Sequence, residues 1–340
     1  MRSSPPSARS RRAYPRPASV ASMERHELET TVRDRLGDGL WGAGLVTPEA
    51  THLVRNGLPE DGDVEIGSIS KGVTGLLYVT ALERGDVTAD DLLATHLPAL
   101  AGAPAGDVAL GSLARHRSGL PRLPKIDGMG RRSWDMLVHA ANPYGDSLAD
   151  LLAQTRRTKV GRPGRPAYSN LGFQLLGHAL AAAAGTTYAD LVRQRVSDPL
   201  GLGSWHVPAT TDDLRPTAVH GTTRRGRAAA PWTGEGIGPA GGIRSTLADL
   251  VGFAEALLAG TAPGIAALDP VADFLGRGVR IGAAWITTEA DGRALTWHNG
   301  GTGGWRTYVG LDRAAGRAAV VVQGRAASVD ALGVDLVRGS

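Results

Sequence analysis

Residues 65–72 read EIGSISKG, and the apolar residues that follow recur at helical spacing up to Gly85, a residue type that ends helices. The pattern predicts a helix over residues 70–84. Ser68 lies at its start and Lys71 three residues later, so both side chains share one face. A buried lysine has a lowered pKa and takes the proton of a neighbouring serine hydroxyl. The stretch therefore indicates a nucleophilic serine with a lysine base, although the spacing alone also fits a solvated lysine one turn after a serine.

The basic residues are divided unevenly between the two residue types. Of the 37 Lys and Arg residues, only Lys71, Lys125 and Lys159 are lysines. Arginine keeps its charge at every physiological pH, whereas lysine can lose its proton. A lysine retained in such a sequence is therefore expected where a proton must move. Lys71 fits that role, while Lys125 and Lys159 lie in polar loop sequence and are expected to be solvated.

Two further motifs carry chemistry-bearing side chains. PAYSNLGF at residues 166–173 contains Tyr168, whose hydroxyl can relay a proton, and Asn170, whose amide can hold a carbonyl. TWHNGGTGGW at residues 296–305 contains His298 on a predicted strand that ends in glycines, which allow a ligand close to backbone N–H groups. Taken singly, the first also fits a helix start with a packed aromatic, and the second a hairpin turn.

The element pattern predicts a sheet interrupted by helices. A helix fits residues 24–36 and strands with a turn near Pro48 fit residues 39–57. Helices joined by Pro/Gly loops fill the middle of the chain, and four strand-like runs follow Ile281, with a short helix at the C-terminus. We therefore expect a disordered basic tail over residues 1–22 and one α+β domain over residues 23–340. Its sheet region covers about 23–85 and 236–340, and its all-helical insertion covers about 86–235.

Composition excludes several classes of protein. The 340 residues include no cysteine, so disulfide frameworks, thiolate metal sites and cysteine nucleophiles are ruled out. The net charge is +4, but without residues 1–22 there remain 32 basic and 33 acidic residues, which argues against nucleic acid as a partner. No apolar run reaches the ~18 residues of a membrane-spanning helix, and neither Met1 nor Met23 starts an export signal. These features favour a cytoplasmic protein without membrane contact.

Cofactor and metal sites are not expected either. Residues 236–241 read GIGPAG and match the dinucleotide-binding fingerprint formally, but no strand precedes them and Pro239 interrupts them. The nine histidines show no paired ligand spacing such as H-E-x-x-H.

Five segments taken in order closely resemble the serine β-lactamase-like hydrolases, in the branch of class C β-lactamases, D-Ala-D-Ala carboxypeptidases, D-aminopeptidases and related esterases. They are EIGSISKG, RHRSGLP, PAYSNLGFQLLG, PAGGIRSTLADL and WHNGGTGGWRTYVG, and the matching region runs from about residue 40 to residue 325. The resemblance implies a β-lactamase/transpeptidase-like fold, in which helices flank an antiparallel sheet. It implies no cofactor and no metal.

The resemblance also implies roles for the reacting residues. Ser68 would form the acyl-enzyme, and Lys71 would accept its proton or keep a neighbouring base deprotonated. Tyr168 would be the second proton-transfer group. The motifs leave open whether Lys71 or Tyr168 is the principal base. The backbone N–H groups of Ser68 and Gly301 would form the oxyanion hole, where one donor contributes about 10²–10³ in rate.

The remaining carried-over residues concern the substrate. Asn170 would hydrogen-bond a substrate carbonyl, and His298 with Gly300 would occupy the place of the K-T-G motif of many β-lactamases. A histidine with a pKa near 6.5 would be only partly charged at neutral pH, which favours an esterase or peptidase-like member over a β-lactamase. The expected substrate is a small ester, amide or peptide. The alternatives are acyl transfer to an alcohol or amine, and a penicillin-recognising sensor that acylates without turnover. The sequence does not indicate the oligomeric state.

Overall fold

The computed structural model describes residues 23–124, 141–290 and 292–339. The predicted tail at residues 1–22 and Lys125 lie outside these ranges. In the described ranges, none of the helices has both the length and the apolar character needed to cross a lipid bilayer.

In the described ranges, ten strands form one large sheet and one two-stranded ladder. The large sheet has eight antiparallel strands in the order β2-β1-β10-β9-β8-β7-β6-β5, and β3 pairs with β4 separately. The strands are β1 (Trp41–Val46), β2 (Thr51–Asn56), β3 (Val64–Glu65), β4 (Arg244–Ser245), β5 (Ala272–Asp273), β6 (Val279–Ile281), β7 (Ile286–Ala290), β8 (Arg293–Gly301), β9 (Arg306–Asp312) and β10 (Arg317–Gln323).

Between β3 and β4, the described residues form helices, turns and loops. The α-helices are α1 (Arg25–Leu36), α2 (Ile69–Arg84), α3 (Leu93–His96), α4 (Leu110–Ala114), α5 (Leu148–Arg156), α6 (Asn170–Ala183), α7 (Tyr188–Val192), α8 (Asp198–Leu200), α9 (Gly238–Gly241), α10 (Leu247–Ala259) and α11 (Asp330–Arg338). Short 3-10 turns occupy Pro98–Leu100, Pro104–Asp107, Thr211–Asp213 and Ile265–Leu268, and a π-helical turn occupies Arg193–Ser197. The expected antiparallel sheet flanked by helices is confirmed.

Both faces of the sheet are covered, as the packing of β10 shows. Its residues are buried throughout, but they alternate between two hydrophobic clusters. Val320 and Val322 join the cluster that includes α2, α6 and α10. Val321 joins the cluster formed with α1 and α11 on the opposite face. The sheet is therefore the middle layer of a three-layer molecule.

Helix α2 lies at the centre of this arrangement, against α6, α9 and β8. Two glycines allow it to approach the loop before β7 closely. A Cβ atom on Gly75 would lie 2.1 Å from the carbonyl oxygen of Ala283, and one on Gly72 would lie 2.7 Å from the ring of Trp285. The Trp285 indole N–H in turn donates to the carbonyl of Gly72 (3.2 Å). The start of α2 is thereby fixed in the interior, with the serine predicted as nucleophile at its first turn.

Candidate active site

Ser68 and Lys71 meet at the start of α2, as their spacing predicted. Ser68 is the N-cap residue of the helix, and Lys71 Nζ lies 2.9 Å from Ser68 Oγ. The same Nζ hydrogen-bonds the carbonyl oxygen of Ala240 in α9. The Lys71 side chain is fully buried. Two contacts therefore hold its amine against the serine hydroxyl.

The surroundings of Lys71 favour the neutral amine. Burial lowers the pKa of Lys71 well below its ordinary value, and the positive charge of Arg122 lowers it further. The ring of Tyr168 lies 5.1 Å from Nζ. An uncharged amine at hydrogen-bonding distance from a hydroxyl accepts its proton. Lys71 thus has the position and the lowered pKa that its predicted role requires.

Tyr168 differs from Lys71, because burial favours the protonated form of its side chain. Burial raises the pKa of its phenol to about 12, and a hydrogen bond with Ser68 opposes this shift only in part. The phenol is therefore protonated at neutral pH and is a proton donor beside the serine. Burial therefore shifts the pKa values of these two groups in opposite directions.

Asn170 is fixed by residues that the sequence motifs did not include. It is the first residue of α6, whose N-cap Ser169 accepts a hydrogen bond from the Gly172 N–H (2.9 Å). The Asn170 side chain donates to the hydroxyl of Tyr144 (2.9 Å), and its backbone N–H donates to the carbonyl of Arg122 (3.1 Å). Tyr144 and Arg122 lie in loop sequence without a recognisable pattern, so only the fold shows their proximity to the site.

The end of β8 touches the turn before the nucleophile through backbone atoms. Gly67 has a φ of +54°, and a Cβ atom there would lie 2.6 Å from the Gly301 nitrogen. A Cβ on Gly300 would lie 2.1 Å from the carbonyl oxygen of Ile66. The Thr307 hydroxyl donates to that same oxygen (2.8 Å). The glycines therefore bring the N–H of Gly301 close to Ser68.

His298 was expected to be a partly charged residue that contacts the substrate, and the structure places it in a different environment. Its side chain is 1% exposed and is not part of the cavity wall that the described residues form. Burial, with a smaller effect of Lys71, lowers the pKa of His298 to about 3. Its Nδ1 hydrogen-bonds the carbonyl of Asn299 (2.7 Å). The ring is therefore neutral at pH 7, because the strand directs it into the interior beside Lys71.

A buried ionic cluster lies directly before the nucleophile. Arg244 of β4 pairs with Asp63 and, at 3.4 Å, with Glu65 of β3. All three side chains are buried. Glu65 also accepts the backbone N–H of Trp232 (3.1 Å), and burial raises its pKa. The cluster joins β3, β4 and the segment around Trp232, and no motif in the sequence indicated it.

A cavity of about 710 Å³ opens onto Ser68 and Tyr168. Ser68, Tyr168, Gly300 and Gly301 line it, whereas Lys71 lies behind Ser68. The remainder of the wall is polar at β8 and α11 and largely apolar near α5 and Tyr144. Its polar members include Asn299, Thr302, Arg306, Ser328 and Asp330. The serine oxygen therefore faces a space that holds a small organic substrate.

Two curated proteins are similar in sequence to most of this chain. D-alanyl-D-alanine-carboxypeptidase/endopeptidase AmpH of Escherichia coli K12 is 29% identical over 239 residues, 65% of this chain and 58% of that protein. Penicillin-binding protein 4 of Amycolatopsis lactamdurans is 27% identical over 276 residues, 73% of this chain and 68% of that protein. The chain thus spans little more than half the length of its AmpH relative.

Solved structures share the fold. A class C beta lactamase from Rhodobacter sphaeroides matches with a TM-score of 0.74 and 22% identity, over 92% of this chain and 98% of the other. The D-alanine carboxypeptidase AmpC from Burkholderia cenocepacia matches with a TM-score of 0.75 and 21% identity, over 93% and 99%. The family model described as Beta-lactamase matches residues 54–336, which is most of the sequence and includes every motif discussed above. The chain belongs to the Beta-lactamase family.

Proposed function

We propose that this protein is a serine hydrolase that forms an acyl-enzyme on Ser68 and hydrolyses a small ester or amide. The observation that carries the proposal is the position of Ser68 Oγ at the cavity wall, 2.9 Å from the buried Lys71 amine, which itself lies 5.1 Å from the ring of Tyr168. A nucleophile, a base and an acid therefore surround one oxygen atom at the cavity wall.

Acylation begins when the neutral Lys71 amine takes the Ser68 proton. The serine oxygen attacks the substrate carbonyl carbon, and the carbonyl oxygen becomes an oxyanion. The backbone N–H groups of Ser68 and Gly301 stabilise that charge. Tyr168 then gives its proton to the leaving group as the ester or amide bond breaks, and it regains a proton from the Lys71 ammonium. The serine proton has moved in net terms to the leaving group.

In deacylation, a water molecule takes the place of the serine hydroxyl as the group that loses a proton to Lys71. A water molecule loses a proton to Lys71, and its oxygen attacks the acyl carbon. The bond to Ser68 breaks, and the serine oxygen recovers a proton through Lys71. In this assignment Lys71 is the principal base, because burial lowers the pKa of its amine and raises the pKa of the Tyr168 phenol to about 12. Tyr168 is the general acid.

The neutral His298 supports an ester or uncharged amide as the substrate. A lysine at this position would supply a fixed positive charge for a carboxylate, whereas a buried imidazole with a pKa of about 3 supplies none at neutral pH. Relatives named as carboxypeptidase and penicillin-binding protein support the comparison of peptide and β-lactam substrates with simple esters.

The test is intact-mass analysis and product release with an aryl ester and a penicillin. We expect a Ser68 adduct and multiple turnovers of the ester, and neither in Ser68→Ala. Ser112→Ala is the matched control, because Ser112 bonds the carbonyl of Ala109 and is not part of the cavity wall. Full ester turnover by Ser68→Ala contradicts the mechanism. An adduct of one equivalent without turnover indicates a sensor, and product partitioning to an added alcohol indicates acyl transfer.

A further inference from the structure

The part of the cavity wall near α5 differs in character from the part near β8. It is formed by Leu123, Pro124, Pro143, Tyr144, Leu151 and Trp232, which we call the aromatic end. The rings of Tyr144 and Trp232 meet edge to face, with centroids 4.7 Å apart. Leu151 belongs to the main hydrophobic core, and Tyr144 packs against that core. This end is therefore a largely apolar surface, and Leu151 and Tyr144 anchor it to the core.

Several hydrogen bonds hold the aromatic end in place. Tyr144 accepts from the side chain of Asn170, and its backbone N–H donates to Asn142 (2.9 Å). The side chain of Asn142 donates to the carbonyl of Thr233 (2.6 Å), beside Trp232. The Trp232 backbone is bonded to Glu65. A surface fixed in this way binds a bulky apolar group without a large cost in ordering its own side chains.

The cavity wall also includes the polar residues Arg122, Asp146 and Gln174. Gln174 lines the cavity from α6, one helical turn after Asn170, and is 4% exposed. Its Oε1 has no hydrogen-bond partner among the described residues. The terminal torsion of glutamine is soft, so either end of the amide can turn to a ligand. A buried amide without a partner is costly, and a hydroxyl, which both donates and accepts, satisfies either of its ends.

We propose that the aromatic end binds the acyl group of the substrate, and that this group is a bulky aryl or alkyl chain carrying a hydroxyl that pairs with Gln174. The inference rests on the proposed serine hydrolase function. The acyl group stays bound to the enzyme until deacylation, whereas the leaving group must depart after acylation. The apolar end therefore suits the acyl group better than the leaving group. Gln174, which directly follows the PAYSNLGF motif, is then a specificity-determining residue to which the sequence motifs assigned no role.

The test compares three p-nitrophenyl esters, those of acetate, phenylacetate and 4-hydroxyphenylacetate. All three have the same leaving group. Burial of a phenyl group favours phenylacetate over acetate by about 10-fold to 100-fold in kcat/KM. The hydroxyl adds a further factor of about 5 to 100 in the native protein. In Gln174→Leu, the higher kcat/KM for the 4-hydroxyphenylacetate ester than for the phenylacetate ester disappears. This variant hydrolyses the phenylacetate ester faster than the native protein does. In Trp232→Ala the advantage of phenylacetate over acetate shrinks.

The control is Gln154→Leu. Gln154 is also a buried glutamine with an unpartnered Oε1, but it lies on α5 and does not line the cavity. If Gln154→Leu removes the hydroxyl advantage equally, or if the three esters react at equal rates, the inference is wrong and the hydrolase proposal stands. Alkyl esters that vary only in the alcohol provide a second check. A preference that follows the alcohol instead of the acyl group overturns the assignment.

Binding to Ser68→Ala keeps the test independent of turnover. By calorimetry, 4-hydroxyphenylacetamide should bind at least about tenfold more tightly than acetamide, and Gln174→Leu in the same background should remove the contribution of the hydroxyl. Equal affinities for the two amides overturn the inference even if no ester acylates Ser68. Absence of every Ser68 adduct instead contradicts the proposed function.

Discussion

Gly300→Ala tests the contact between the end of β8 and the turn that carries the nucleophile. The added Cβ would lie 2.1 Å from the carbonyl oxygen of Ile66 and 2.1 Å from the hydroxyl oxygen of Thr307. Ordinary contacts of this kind begin near 3.4 Å. The two backbone segments must therefore separate by about 1 Å, and the separation falls between Ser68 and Gly301.

The size of the effect follows from that displacement. A misplacement of about 1 Å in a reacting geometry costs about 100-fold in rate. Loss of one oxyanion-hole donor costs about 10²–10³-fold in kcat, or about 2.7–4 kcal/mol. We therefore expect kcat to fall by at least about 100-fold, with a smaller change in KM. Overpacking should lower the free energy of unfolding by about 1–3 kcal/mol.

The assay is steady-state hydrolysis of an aryl ester at a temperature where thermal denaturation shows every variant to be folded. Gly203→Ala is the control, because nothing lies within 4 Å of a Cβ at that position. It should retain native kcat and native stability. If Gly300→Ala keeps native kcat while its stability falls, the contact is only structural and the assignment of Gly301 to the oxyanion hole is refuted.

Three other predictions concern the protonation states and the buried ions. Because burial lowers the pKa of Lys71, kcat/KM should fall as the pH drops through that lowered value and stay level up to pH values where an ordinary ammonium is still charged. Lys71→Arg should lose about 10²–10⁴-fold in kcat, and a native kcat/KM that rises only near pH 10 contradicts the assignment. The NMR signals of the His298 ring should not shift between pH 8 and pH 5, since its pKa is about 3; a midpoint near 6.5 refutes the buried neutral state. Asp63→Asn leaves Arg244 with a weaker partner and should lower the free energy of unfolding by about 3–5 kcal/mol in urea, and an unchanged midpoint shows that the pair contributes little.

Local spacing was enough to predict one part of the site. Ser68 and Lys71 are three residues apart on one helix, so their contact follows from helical geometry alone. The helix predicted over residues 24–36 is confirmed as Arg25–Leu36, because its pattern and Gly37 are local signals. The roles of all the motif residues, Ser68 and Lys71 included, stay predictions.

Tertiary packing decides the rest, and local sequence does not encode it. The carbonyl of Ala240 holds the Lys71 amine from 169 positions away along the chain. The motif alone suggested an ordinary pKa for His298, whereas burial lowers that pKa to about 3, an effect of the layers that exclude water from the ring. Tyr144, Trp232 and Gln174 reach the cavity only because the helical segment folds over the sheet.

The position of β1 has a consequence for how the chain is made. Its six residues pair with β2 on one side and with β10 on the other, so Trp41 lies beside Gln323. During synthesis on the ribosome, one edge of β1 waits unpaired while more than 260 further residues are added. Such an edge recruits other strands, and its closure needs contacts of high sequence separation. Nascent chains halted before β10 should therefore be the species that chaperones bind and that aggregate first.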